Sequence, residues 1–436
     1  MSGEFIGLLL LGGLLLLMAL RVPIAIALAI AGFAGYASLD GLTSATFILS
    51  AIPGELVRGY SFTVIPLFVL MGTVASASGM AAELYEASRR LARPRASASL
   101  ASATIGTCAM FGAICGSSIA TAATMTRVAI PEMRRAGYAD GFAAGTVAAG
   151  GTLGILIPPS VILIIYALLA EESVPDLFAA GLIPGLILTL LCVVVAKITA
   201  RLRPEVAPSI QSDGSRASRL TGLLKTWKLL LIFGVSLGGI YAGWFSPTEA
   251  AAVGAGLTTL VAAITRTLSF RAFIRALDEA ILTSAMLFFV FLGALMFARF
   301  IALTQLPVTF AAAITDLGLP AAFVILVLVA FYVGLGCVLE TVSMILITVP
   351  VFLPLVVGLG YDPVWFGILV VVVAEMGLIT PPVGLNIFVI RSQLPDISLT
   401  TIYRGVLPYL AASVGLTLLL ILLPDLALWL PRIIGP

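Results

Sequence analysis

Histidine is absent from this sequence of 436 residues, and only 10% of the residues are charged. The first absence removes the side chain that most often shuttles protons and ligates metals near neutral pH. The chain also lacks a GxxxxGK[ST] phosphate-binding loop and a GxSxG nucleophile motif. The sequence therefore predicts neither an enzyme nor an ATP-driven pump, and it indicates no organic cofactor and no nucleic-acid partner.

Cysteine is scarce as well, with four residues in the whole chain. These residues lie in apolar runs without the spacing of a metal site, and we interpret them as small core residues. They are Cys108, Cys115, Cys192 and Cys337. No transition-metal site is expected.

Apolar residues are abundant instead, at 61% of the chain. Soluble domains contain roughly 45–50%. Runs long enough to cross a bilayer recur from residues 6–20 to residues 407–423. The first four residues lack the basic region of a secretory signal, so we interpret the first run as a retained helix. The sequence predicts an all-α polytopic membrane protein embedded in a lipid bilayer.

The placement of positive charge predicts the topology, although the net charge is only +2. If the first helix runs inward, most Lys and Arg residues fall on the cytoplasmic side, as the positive-inside rule requires. The cytoplasmic clusters include Arg89, Arg90, Arg93 and Arg95, then Arg134 and Arg135, then residues 197–228. The acidic residues Glu171, Glu172 and Asp176 fall outside.

Between Arg95 and Arg134, both predicted inside, lie two apolar pieces joined by Cys115-Gly116-Ser117-Ser118. Neither piece comfortably spans a bilayer, and together they must enter and return. This pattern predicts a re-entrant helical hairpin whose tip is buried by protein or water.

The second half of the chain repeats this plan. A shift of 223 positions lays Gly154 on Gly377, the pair Pro158-Pro159 on Pro381-Pro382, and Ser117-Ser118 on Glu340-Thr341. Glycine and paired prolines interrupt an apolar helix in both copies. The charge pattern places the two copies in opposite orientations, which predicts two inverted repeats. Inverted repeats with broken helices at the bilayer midplane are typical of secondary transporters.

Five stretches carry a specific resemblance that covers nearly the whole chain: CGSSIATAATMTRVAIPEM, GTLGILIPPS, FSPTEAAAVGA, ETVSMILITVPVFLPL and EMGLITPPVGLN. They resemble DctM, the large membrane subunit of tripartite ATP-independent periplasmic (TRAP) transporters in the ion-transporter superfamily. The resemblance implies Na⁺-driven uptake of an organic acid across the bacterial inner membrane by an elevator motion. It also implies two partners, a small four-helix membrane subunit and a periplasmic substrate-binding protein.

The repeat and the resemblance together predict a division of the chain into scaffold and transport parts. Residues 1–95 and 227–305 would form the scaffold helices and arms of the two repeats. Residues 96–170 and 306–392 would form the transport halves, each a hairpin and a broken helix. Residues 171–202 would be the last helix of repeat 1, 203–226 a cytoplasmic linker, and 393–436 a C-terminal arm and last helix.

Sodium is expected where each hairpin tip faces a helix break, because hydroxyls, carboxylates and released carbonyls are the hard ligands that small cations prefer. The alternative is that these residues pack helices or cap their ends. The candidates are Ser117, Ser118, Thr121, Gly154, Ile157, Glu340, Thr341, Gly377 and Thr380.

A second group is expected to bind the organic acid: Arg127, Thr152, Glu375 and Asn386. Ionisable residues are costly within a membrane and therefore indicate an ion or substrate path. A structural ion pair for Arg127, and a capping or bracing role for Glu340 or Glu375, remain alternatives. Glu249 is interpreted as structural, because a first-turn Glu after Ser-Pro complements the helix dipole.

Other functions remain open at this level. A channel would need a continuous polar path and a ring of filter groups, and a scaffold protein would have no use for two broken helices. A superfamily carrier of organic anions that works without a binding protein is the nearest alternative. The sequence does not identify the acid.

Overall fold

The computed structural model describes residues 2–91, 98–208 and 226–434. Arg93, Arg95 and positions 209–225 of the predicted linker lie outside the described residues. Within the described ranges the chain forms twenty α-helices and two short 3₁₀ helices, Tyr60–Thr63 and Pro204–Val206.

The helices of the first half are α1 (Gly3–Ala19), α2 (Ile24–Asp40), α3 (Leu42–Arg58), α4 (Val64–Ala77), α5 (Met80–Leu91), α6 (Ser99–Cys115), α7 (Ser118–Arg135), α8 (Asp140–Leu156), α9 (Val161–Ala170) and α10 (Val174–Leu202). Those of the second half are α11 (Trp227–Tyr241), α12 (Pro247–Ile264), α13 (Phe270–Leu303), α14 (Leu306–Asp316), α15 (Ala321–Gly336), α16 (Thr341–Gly358), α17 (Pro363–Gly377), α18 (Leu385–Gln393), α19 (Leu399–Leu422) and α20 (Asp425–Ile434).

Helix length and composition confirm a multi-pass membrane protein. Six helices of the described residues are long and apolar enough to span a bilayer, and the bent pair α8–α9 would add a seventh. Six shorter apolar helices accompany them. An all-α arrangement is the expected solution in lipid, because each helix satisfies its own backbone hydrogen bonds.

The offset of 223 residues extends along both halves. Helix α7 begins at residue 118 and α16 at residue 341, while α2 begins at residue 24 and α12 at residue 247. Equivalent helices of the two halves also make equivalent contacts. Helix α2 packs on α13, and its counterpart α12 packs on α4. Likewise, α18 packs on α7 and its counterpart α9 packs on α16. The opposite membrane orientation of the two halves stays a prediction.

Both predicted hairpins are present as pairs of helices. Gly116 and Ser117 join α6 to α7, and residues 337–340 join α15 to α16. The following helix is interrupted in each half. Helices α8 and α9 bend by 44° across residues 157–160, and residues 378–384 separate α17 from α18. Each interruption contains a cis Pro-Pro bond.

Small residues allow close packing in the group formed by α2, α4, α12 and α13. A Cβ on Gly32 would lie 2.6 Å from the backbone nitrogen of Phe297, and a Cβ on Gly293 would lie 2.4 Å from the carbonyl oxygen of Ala25. Because lipid provides no hydrophobic drive between helices, such close approach is a main source of their association.

The structure confirms the structural interpretation of Glu249. Ser246 is the N-cap of α12: its Oγ accepts from the Glu249 backbone N–H at 3.3 Å, and its own N–H donates to Glu249 Oε2 at 2.8 Å. This reciprocal capping box satisfies two of the helix's unpaired donors.

Candidate functional site

A cavity of about 250 Å³ lies where both hairpin tips meet helices α4 and α13. We call it the tip cavity. Tip 1 contributes residues 115–120 and tip 2 contributes residues 340–342. Ile155, Val161, Ile162 and Leu378, in or beside the breaks, also line it, and helices α4 and α13 contribute Val69, Gly72, Thr73, Ser76, Glu279, Thr283, Met286 and Leu287. The fold thus brings residues more than 220 positions apart in sequence into one site.

Tip 1 presents two hydroxyl groups to the tip cavity. Ser117 is the N-cap of α7, and its Oγ accepts from the backbone N–H of Ala120 at 3.3 Å. Ser118 is the first residue of the helix and is buried. Both residues also line the cavity, so capping and a role in ion binding are compatible.

Tip 2 presents a carboxylate in the corresponding place. Glu340 occupies the N-cap position of α16, but its side chain makes no capping hydrogen bond. The next residue, Thr341, donates from Oγ1 to Glu375 Oε1 at 2.8 Å. Glu340 and Thr341 line the tip cavity, and Glu375 supports Thr341 from behind, on helix α17.

Glu375 is 2% exposed, and its second oxygen, Oε2, has no hydrogen-bond partner among the described residues. The Ser118 hydroxyl interacts with the same carboxylate, although not with hydrogen-bond geometry, and Glu340 repels it. Burying a carboxylate oxygen without a partner is costly. The arrangement therefore requires that the charge of Glu375 be neutralised, by a proton or by a bound cation.

Two other predicted site residues, Asn386 and Thr121, are among the buried groups that lack a hydrogen-bond partner within the described ranges. Asn386 is fully buried at the start of α18, and neither its Oδ1 nor its Nδ2 makes a hydrogen bond. The hydroxyl of Thr121, one turn into α7, interacts only with the Cys115 thiol. Unsatisfied buried groups in a native fold often indicate an ion or water in the functioning protein.

The two glycines predicted at the breaks have a clear packing role. A Cβ on Gly154 would lie 2.2 Å from the Cα of Gly112, and a Cβ on Gly377 would lie 2.6 Å from the Cα of Gly336. Each break is thus pressed against the first helix of its own hairpin. Thr380 donates to the carbonyl oxygen of Met376 at 2.6 Å and stabilises the second break.

Of the thirteen predicted site residues, four line the tip cavity and nine do not; the four are Ser117, Ser118, Glu340 and Thr341. Three of the nine have quite different surroundings. Arg127 is exposed on α7, and Thr152 is buried and donates to the carbonyl of Ala149 in its own helix at 2.7 Å. The Ile157 side chain lies beside Gly185 and lines a separate, apolar pocket. The roles of these residues in binding stay predictions.

The part of the cavity formed by α4 and α13 was missed by sequence reasoning. Glu279 and Thr283 of α13 line the tip cavity together with Thr73 and Ser76 of α4. A signal existed, because Glu279 is a charged residue within a long apolar helix. None of the described residues that line the cavity is basic, so its electrostatic character favours cations.

Comparison with known proteins agrees with this architecture. The family model described as "Tripartite ATP-independent periplasmic transporter, DctM component" matches residues 11–426. The C4-dicarboxylate TRAP transporter large permease protein DctM of Pseudomonas aeruginosa is 38% identical over 87% of this chain and 88% of that protein. The sialic acid TRAP transporter large permease protein SiaM of Vibrio cholerae is 31% identical over 90% and 91%.

A solved structure shares the fold at much lower sequence identity. The YdaH transporter of Alcanivorax borkumensis superposes with a TM-score of 0.63 at 17% identity, covering 91% of each chain. This likeness shows a common arrangement of helices with a known transporter.

Proposed function

The chain belongs to the DctM family of TRAP transporters, the large permease subunits for organic acids, and from this premise we propose that it imports an organic acid together with Na⁺. The acid would arrive from a periplasmic binding protein and cross the inner membrane. A small four-helix membrane subunit would complete the transporter.

The tip cavity is the observation that supports this proposal. Its tips carry hydroxyl and carboxylate oxygens and no basic side chain, and Glu375 behind them has an unpaired buried oxygen. These oxygen atoms are hard ligands, which suit a hard cation such as Na⁺ better than one that prefers nitrogen or sulfur. Na⁺ bound here would neutralise the carboxylates and so allow an anionic acid to enter the same cavity.

Coupling between ion and acid follows from this charge balance. Without Na⁺, Glu340 and Glu279 repel an organic anion electrostatically. Bound Na⁺ weakens this repulsion and offers a positive charge to the carboxylate of the acid, so each ligand raises the affinity of the other, as linkage requires. We propose one Na⁺ near Ser117 and Ser118 and a second near Glu340, Thr341 and Glu375.

The position of the cavity also favours an elevator motion. The tips belong to the hairpins, which pack on the broken helices, while the remaining wall of the cavity belongs to α4 and α13. Sliding of the hairpin-bearing group along that wall would carry the two tips, with the Na⁺ and the acid held there, across the membrane, and the acid would leave its contacts with the wall. Because Arg127 is exposed on α7, we propose that it contacts the acid during entry or release.

Transport in proteoliposomes tests the proposal directly. The chain would be reconstituted with its small subunit, and the binding protein would be added outside with radiolabelled succinate, gluconate or N-acetylneuraminate. We expect accumulation of at least one acid under an inward Na⁺ gradient, saturating with Na⁺ concentration. The matched control replaces the Na⁺ gradient with a K⁺ gradient of equal size.

Two results would contradict parts of the proposal. Equal accumulation under the K⁺ gradient would exclude sodium coupling. Full accumulation without the binding protein would favour the alternative, a superfamily carrier that works alone. Flux that never saturates with substrate would instead indicate a channel.

A further inference from the structure

The wall of the tip cavity carries a carboxylate that the proposed sodium sites do not use. We propose that the transported acid has a single carboxylate and a hydroxyl-bearing opposite end, and that Glu279 accepts a hydrogen bond from that end. This inference rests on the proposed function, because it assigns the substrate class of the same cavity.

The tip cavity is lined by residues of different chemistry. Ser117, Glu340 and Thr341 belong to the hairpin tips, where Na⁺ is proposed to attract a carboxylate. Glu279 lines the same cavity from α13, with Thr283 one turn later in that helix. An acid whose carboxylate is held by Na⁺ at the tips would bring its remaining groups within reach of Glu279.

No basic side chain among the described residues forms an ion pair with Glu279. Arg275 lies one turn earlier in α13, but its Nε donates to the carbonyl oxygen of Arg271 at 3.4 Å. Within the described residues, Arg275 forms no ion pair with Glu279. The carboxylate is therefore available to accept hydrogen bonds from a ligand.

A dicarboxylate fits this arrangement poorly. Its second carboxylate would face Glu279, and opposed like charges at a binding surface select strongly against a partner. A hydroxyl group in that position donates to the Glu279 carboxylate, and hydrogen bonds to charged groups are stronger than neutral ones. The wall hydroxyls of Ser76 and Thr283 add further polar partners.

Cavity size agrees with a small polyhydroxy acid. Pockets for drug-sized ligands typically measure about 300–1,000 Å³, and the tip cavity is smaller, at about 250 Å³. Three- to six-carbon hydroxy acids, such as glycerate and gluconate, belong to the size and charge class that this site favours.

Ligand-induced thermal stabilisation of the full chain with its small subunit, purified in detergent with Na⁺, tests the inference. Glycerate, gluconate, succinate and 4-aminobutyrate are titrated against the parent protein and the Glu279→Gln variant. We expect glycerate or gluconate to bind the parent at least about tenfold more tightly than succinate does, since loss of a hydrogen bond to a charged group is worth a factor of this order. Glu279→Gln should remove most of this preference.

Asp278 provides the matched control, because it is the neighbour of Glu279 in the same helix, is exposed as Glu279 is, and does not line the cavity. Asp278→Asn should leave the preference unchanged. Tighter binding of succinate by the parent, an unaltered preference in Glu279→Gln, or an equal effect of Asp278→Asn would each overturn the inference. Binding of 4-aminobutyrate alone would overturn the hydroxyl assignment in favour of an ammonium group.

The proposed function has a separate criterion in the same assay. If neither Na⁺ nor any acid stabilises the protein, the cavity is not the site, and both proposals fail. If Na⁺ stabilises the protein and succinate is the preferred acid, sodium coupling survives and only the substrate class is wrong.

Discussion

The two hairpin tips occupy equivalent positions but differ in charge. Tip 1 has Ser117 as a capping N-cap residue, whereas tip 2 has Glu340 in the same position without a capping hydrogen bond. The residue behind tip 2, Glu375, corresponds to Thr152 in the first half. Thr152 bonds to its own helix, while Glu375 accepts from the tip through Thr341.

The same asymmetry continues through the second break. Asn386, which has no partner among the described residues, corresponds to Leu163, and Thr380 corresponds to Ile157. The glycine contacts are instead equivalent in both halves, at Gly154 and Gly377. The repeat thus preserves the backbone framework, while the second copy carries the charged and amide groups. This difference predicts that the second site dominates ion binding.

The largest expected effect comes from Glu375→Gln, which keeps the shape and removes the buried charge. We expect Na⁺ affinity to fall roughly 100-fold, about 3 kcal/mol, the scale of losing one partner of a buried charge pair. Without Na⁺ the variant should melt at a higher temperature than the parent, because an unpaired buried carboxylate is removed. Na⁺ titration by uptake and thermal unfolding measures both changes.

Thr152→Val is the equivalent substitution in the first half and serves as the control. It removes a hydrogen bond within one helix, so Na⁺ affinity should change little. If Thr152→Val and Glu375→Gln reduced Na⁺ affinity equally, the two sites would be functionally equivalent, and the asymmetry would have no consequence.

A smaller difference is expected at the tips themselves. Thr341→Val deletes the hydroxyl that donates to Glu375, and the Na⁺ concentration for half-maximal uptake should rise about tenfold, or about 1.4 kcal/mol. Ser118→Ala deletes a hydroxyl without such a bond, and the rise should be about threefold. Unchanged Na⁺ dependence in both variants would identify the hydroxyls as packing groups.

The smallest effects concern the two turns that follow the hairpins. A carboxyl pKa is lowered at the first turn and raised at the second. At the α7–α8 turn Arg134 pairs with Asp140 at 2.6 Å and with Asp396, and the Arg134 hydrogen bond lowers the pKa of Asp396. At the α16–α17 turn Asp362 caps α17, and burial, then repulsion by Asp362 and Asp176, raises the pKa of Glu172.

These shifts predict opposite dependence of stability on pH. Because the pKa of Glu172 is raised, this residue favours folding at acidic pH, and its contribution is lost as pH rises. The contribution of Asp396 is instead present near pH 7, and it is lost as pH falls through the depressed pKa of this residue. Glu172→Gln should therefore raise the melting temperature at pH 7 and leave it unchanged near pH 4. Asp396→Asn should lower it at pH 7, with a difference that disappears below pH 4.

Both effects should be small, because Asp396 is exposed and Glu172 is only partly buried, so water weakens their interactions. Melting curves of the detergent-purified protein between pH 3 and 8 measure them. Shifts of the same sign in both variants at pH 7 would contradict the electrostatic difference between the two turns.

Much of the architecture was predictable because its causes are local in sequence. Hydrophobic run length predicted the membrane class, and Pro158 and Pro381 with their neighbouring prolines predicted the breaks. The short apolar pieces around Gly116 predicted the hairpin that α6 and α7 form. The repeat offset was readable because both copies retain the same spacing of glycine and proline.

Only the tertiary structure decided which polar groups meet. Sequence spacing offered no reason to expect Glu279 of α13 in the same cavity as both tips, or Arg127 outside it, because the side a residue faces depends on how distant helices pack. It also could not show that Thr341 and Ser118, on different hairpins, reach the same Glu375 carboxylate. The sequence by itself determined the helices and their breaks through hydrophobicity and backbone geometry, whereas the site exists only where packing of the two repeats brings their tips together.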